Sequence, residues 1–180
     1  VAFAVSALWL APSSVARADV SGWAHVGAGI SGYTNETSDG LLTSPTMTID
    51  MGAGTADGGP FVIGGLFRMQ PVFHEGLDLA LLARIATRGF QSEMFGLAFD
   101  VGGYQQTYGF SSTGFIGQIS LGLPLGLQLA ANGSVGNHDV KSFGVTLGID
   151  FARLTVHRAY GIETLPSPRP EKALRTATNK

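Results

Sequence analysis

Along most of the chain, hydrophobic and polar residues alternate with a period of two. Ala24, Val26, Ala28 and Ile30 stand against His25, Gly27, Gly29 and Ser31, and Met47, Ile49, Met51 and Ala53 against Thr46, Thr48, Asp50 and Gly52. Phe61, Ile63, Phe67 and Met69 alternate with Gly64, Arg68 and Gln70, with Val62 and Leu66 out of phase; Leu77, Leu79, Leu81, Ala83 and Ile85 alternate with Asp78, Arg84 and Arg88, with Leu82 out of phase. Four more segments follow, carried by Phe95 to Val101, Phe115 to Leu121, Leu125 to Val135 and Phe143 to Phe151. Successive side chains of a strand point to opposite faces, so each segment predicts a strand with one oily face.

The charges sharpen this pattern. Asp50, Arg68, Asp78, Arg84, Asp100 and Asp150 all fall on the phase opposite the aliphatic residues. An Arg facing lipid near the bilayer midplane costs about 2–4 kcal/mol, so a membrane barrel must turn these residues into its lumen. Glu93 shares the phase of Phe95, at the start of its segment, where an interfacial position costs little. Alternation alone equally suits a soluble barrel or sandwich with its oily side inward. The polar phase separates the two, because it is mostly Gly, Ala, Ser, Thr, Gln and Asn, the small side chains that a narrow eight-stranded interior holds. The expected fold is therefore all-β, an antiparallel up-and-down transmembrane barrel of eight strands. Ten would require strands within 154–160 and 104–113 as well.

Composition narrows the function classes. Gly makes up 26 of 180 residues and charged residues 13%, too few charges to clothe an ordinary soluble surface. With a net charge of -2 and its Arg dispersed singly, the chain offers no cationic face to a nucleic acid. The absence of cysteine excludes disulfides, thiolate chemistry and Cys-ligated metal. Beyond Asp19 no run of 20 apolar residues occurs, which excludes a membrane-spanning helix.

The ends differ from the middle. An apolar run over 1–11, the break Pro12-Ser13-Ser14 and the small-x-small site Ala16-Arg17-Ala18 predict a signal peptide over 1–18. The barrel is expected over 19–160 and a Pro-rich flexible tail over 161–180. Long polar connections over 34–43 and 102–113 and modest ones over 71–76 and 136–139 are expected to face outward, with short turns at 88–90 and 122–124 on the periplasmic side.

With FVIGGLFRMQ (61–70), LDLALLARIATR (77–88) and SFGVTLGIDF (142–151) as its most typical stretches, the chain resembles the broad class of small Gram-negative outer-membrane β-barrel proteins. The resemblance implies the bacterial outer membrane as location, with outer-membrane lipid, lipopolysaccharide and the barrel assembly machinery as partners. An envelope protein could be met through the loops or tail. That machinery commonly recognises a last strand ending in an aromatic residue, for which Phe151 and Tyr160 are the candidates. Trp23, Tyr33, Phe90, Tyr104, Tyr108 and Phe110, near segment ends, are expected to form thin aromatic belts.

The candidate site is the set Asp50, Arg68, Asp78, Arg84, Asp100 and Asp150, which a narrow lumen would gather into a salt-bridged network. Eight strands enclose a space that side chains can fill, so a closed lumen with a structural or interaction role is the first reading. A narrow small-solute channel, a rim-located lipid-modifying hydrolase and a soluble secreted ligand-binding barrel are the alternatives. His25 reads as a lumen hydrogen-bonding residue. His74 and His138 would make a metal pair only if their loops adjoined, and His157 with Glu163 and a serine would be the hydrolytic set. No nucleophile elbow or cofactor motif is present, so no catalytic, cofactor or metal site is assigned and no cofactor is expected.

Overall fold

Each alternating segment offers backbone donors and acceptors along both edges, and closing the sheet satisfies all of them. The computed structural model describes residues 20–34, 40–55, 59–92, 95–108 and 111–155. Its strands are β1 (Ser21–Thr34), β2 (Leu42–Gly54), β3 (Phe61–Val72), β4 (Gly76–Thr87), β5 (Gly96–Gln106), β6 (Thr113–Gly122), β7 (Leu127–Gly136) and β8 (Lys141–Asp150). They form a closed barrel in sequence order, every neighbouring pair antiparallel, with β8 returning to β1.

The register fixes the barrel's shape. Cross-strand partners lead from Ser21 through Gly54, Gly64, Arg84, Asp100, Gln118, Asn132 and Gly144 back to β1 at Ser31, a stagger of ten residues in one circuit. Ten residues of stagger over eight strands tilt the strands about 40° from the axis. At that tilt a ten-residue strand rises about 25 Å, the height of the apolar band of a membrane barrel.

The aliphatic phase points outward. Leu81 is 70% and Phe115 72% exposed, and Ile30, Ile63, Phe99, Ile119 and Leu147 are exposed with them. The charged and small polar phase points into the lumen, the reverse of a soluble barrel packed around an oily core. Val62, Leu66 and Leu82, out of phase in the sequence, point inward as well. Val62 joins Trp23, Ala86, Phe90 and Ala98 in one apolar cluster, and Leu66 and Leu82 join Ala80, Tyr104 and Ile116 in another. A lumen this narrow is packed like a core, and these two apolar layers fill part of it.

The aromatic belts expected near the strand ends are not formed by Trp23, Tyr33, Phe90 and Tyr104, which are buried inside the barrel. Trp23 and Tyr33 share the two-residue phase of His25, which already assigns them to the lumen side. Phe110 lies outside the described residues.

The strands end at two rims. The upper rim carries the connections 35–41, 73–75, 107–112 and 137–140; the lower carries 55–60, 88–95 and 123–126. Long and short connections therefore do not segregate by rim, and the longest is the lower one at 88–95. There α1 (Arg88–Ser92) replaces the expected short turn. The loop expected over 102–113 is shorter, because β5 continues to Gln106, with Tyr104 and Gln106 keeping the inward phase. No additional strand occurs among the described residues of 104–113. Beyond β8 the chain turns into α2 (Phe151–Thr155) instead of starting a strand. Residues 156–160, the signal peptide expected over 1–18 and the tail expected over 161–180 lie outside the described residues.

Candidate functional site

The lumen charges meet because register and alternation place them opposite one another. Asp50 is the cross-strand partner of Arg68, and Arg84 of Asp100. Arg68 donates from Nε to Asp50 Oδ1 at 2.7 Å and from Nη2 to Oδ2 at 2.6 Å. Arg84 repeats the arrangement on Asp100 at 2.7 and 2.8 Å. All four side chains are buried, and a two-pronged guanidinium–carboxylate contact is the geometry that best offsets the loss of water.

A polar web extends from the second pair. Gln118, the β6 partner of Asp100, donates to Asp100 Oδ2 and to Ser120 Oγ, each at 2.9 Å, and Gln128 donates to the same Ser120 oxygen at 3.3 Å. The alternating pattern assigned these residues to the polar phase without marking them as members of a network. Their cross-strand neighbourhood, which requires the register, is what does so.

His25 lies beside the first pair, its Nδ1 3.6 Å from Asp50 Oδ2, too far for a hydrogen bond. Its ring fits only because its neighbours lack side chains: a Cβ on Gly148 would come within 2.6 Å of His25 Nε2, and one on Gly27 within 2.8 Å of Cε1. Among the described residues, neither His25 nitrogen has a protein partner, and the same holds for Thr48 Oγ1, Thr146 Oγ1 and Asn132 Nδ2. These residues lie on β7, β8, β1 and β2, across from the apolar cluster of β3 to β6.

The lower mouth is stoppered. α1 carries Phe90 and Gln91 into the barrel, both buried, and Gln91 Nε2 donates to Gly22 O at 3.1 Å. Arg84 Cζ stands 5.1 Å from the Trp23 ring centroid and 5.3 Å from that of Phe90, within cation–π range. Arg153 of α2 brings a second guanidinium 5.5 Å from Phe90 and donates to Leu127 O at 3.2 Å. The stopper has a faint sequence signal, the apolar Phe90 in a polar turn.

Asp78 and Asp150 stand apart from the two ion pairs. Asp150 Oδ1 accepts from the backbone amides of Ala152 at 2.9 Å and Arg153 at 3.3 Å, capping the turn into α2. Asp78 lies towards the upper rim, where Tyr108 donates to its Oδ2 at 3.4 Å and packs edge-on against Tyr33 with centroids 6.0 Å apart. Burial first, and then the Asp78 carboxylate, push the Tyr108 hydroxyl above its ordinary value.

His74 and His138 lie in the β3–β4 and β7–β8 connections, on opposite sides of the upper rim. His157 and Glu163 lie outside the described residues. Among the described residues no group of three His, Asp or Glu side chains could hold a metal ion. The lumen thus combines two buried ion pairs, a glutamine–serine web and an aromatic cluster at its lower mouth, an arrangement that packs and stiffens the barrel. Comparison with family models, curated proteins and solved structures found no match, so the chain's function is read from this geometry alone.

Proposed function

We propose that the chain is a bacterial outer-membrane β-barrel with a closed lumen, serving a structural or interaction role in the envelope. The observation that carries this reading is its polarity: an outward surface of Leu, Ile, Val and Phe around a lumen of paired charges. In water such a surface would expose far more contiguous apolar area than a monomer tolerates, whereas lipid is its natural solvent. No helix among the described residues is long and apolar enough to cross a membrane, so any crossing falls to the strands. Phe151 directly follows β8, where the assembly machinery would read an aromatic strand end.

The test is fractionation of cells expressing the full chain, followed by gel migration with and without boiling. The expected result is an outer-membrane band whose mobility changes on boiling; a single unshifted band in the periplasmic fraction would refute the reading.

A narrow channel is the second reading, favoured by the unpartnered polar atoms along β7, β8, β1 and β2. The stopper of Phe90 and Trp23 at the lower mouth opposes it. Ion flux through the reconstituted full chain would decide for the channel, and its absence for the closed barrel.

A further inference from the structure

Among the described residues, the eight strands turn only one charged side chain outward, Lys141 at the upper end of β8. Its cross-strand neighbour on β7 is Val135, and Val135 in turn pairs with Phe115. Below this row runs a second one, Val101, Gly117, Gly133 and Phe143, each residue the partner of the next. Where its two glycines lie, the outer surface sinks into an open groove of about 400 Å³ flanked by Val101, Phe115 and Val135.

Packing within the barrel does not require these glycines. A Cβ on Gly117 would meet nothing nearer than Asp100 O at 3.9 Å, and one on Gly133 nothing nearer than Ser142 O at 3.7 Å. Glycine weakens a strand interior, and in a strand it often marks a site of close approach by another molecule. On this face that molecule would meet an apolar trench whose rising stagger leads to an exposed ammonium.

We propose that the trench over Gly117 and Gly133, together with Lys141, holds one anionic lipid of the upper leaflet, an acyl chain in the trench and its phosphate on the Lys141 ammonium. The inference rests on the membrane reading above and adds a defined site to it. Charge complementarity selects the occupant: a zwitterionic lipid offers the same chain without the net negative charge, and free phosphate offers the charge without the chain. Lys141 has the reach to lay its methylene stem along Val135 while its ammonium stays at headgroup level.

The test uses the full chain reconstituted in vesicles of phosphatidylglycerol and phosphatidylcholine with identical acyl chains, extracted into mild detergent and analysed by native mass spectrometry. The wild type is expected to retain one phosphatidylglycerol with about fivefold preference, the size of one lysine's attraction to an anionic surface. Lys141→Gln removes that preference and Lys141→Arg keeps it. Gly133→Leu, which fills the trench, lowers retention of both lipids, and millimolar inorganic phosphate leaves the bound lipid in place. Equal retention of the two lipids by the wild type, a preference that survives Lys141→Gln, or displacement by phosphate would each overturn the site. Boiling-dependent migration is recorded on the same samples for every variant. Its absence in the wild type refutes the membrane reading; its presence without lipid preference refutes the lipid site alone.

Discussion

Arg68 and Asp50 face each other across β3 and β2 with two parallel hydrogen bonds of 2.7 and 2.6 Å, both side chains buried in the lumen. Neither residue can lose its partner without leaving a charge in a space shut off from bulk water. Arg68→Met alone or Asp50→Leu alone is expected to destabilise the barrel by about 3–5 kcal/mol, whereas the double variant loses less than either single one. Urea unfolding followed by the boiling-dependent gel shift measures all three. A double variant weaker than both singles would show that the pair does not act as a unit.

Phe90 is the largest apolar side chain that α1 places in the lower mouth, held between Trp23 and the guanidinium groups of Arg84 and Arg153. Phe90→Ala is expected to cost about 3–5 kcal/mol and to let water into the lower lumen. Amide hydrogen exchange should accelerate around Val62 and Ala98, which share its cluster, and remain unchanged around Ile116, which belongs to the other. Uniform acceleration would mean that Phe90 supports the whole barrel and is not a local stopper.

The Tyr108 hydroxyl, raised above its ordinary 10.0 by burial and by Asp78, ties stability to alkaline pH. Its neutral form is favoured in the folded state, so its contribution is fully present below pH 10.0 and is lost as the pH rises towards the higher folded value. Tyr108→Phe removes the ionisable group while keeping the ring against Tyr33. Above pH 10.0 the wild type should therefore lose stability more steeply than this variant. Parallel stability curves for the two proteins would exclude the linkage.

Leu81 is 70% exposed near mid-height on the outer face. If that face meets lipid, Leu81→Arg disfavours the inserted barrel by about 2–4 kcal/mol, and the variant is recovered from membranes in lower yield. In a water-facing barrel the same substitution would improve solubility and leave the fold unharmed, so the direction of the change is decisive.

Much of this architecture is legible in the chain. The two-residue period over eight segments specifies strands, and because every strand is buried on one side the period also assigns each residue a face. That is why Asp50, Arg68, Arg84 and Asp100 can be placed together on the lumen side from their positions alone, and why Trp23 and Tyr33 belong there too. Which carboxylate meets which guanidinium is a different matter. The pairing of Arg84 with Asp100 depends on where β4 lies against β5, and a shift of two residues would preserve every face while separating the ions. Register is settled jointly by all the turns and by closure of β8 on β1, so only the tertiary structure decides it. The same closure sends Asp150 to cap α2 and Asp78 to the Tyr108 rim, and draws Phe90 from a polar connection into the mouth. Alternation is local and survives in the sequence as a pattern; stagger and closure are properties of the whole sheet.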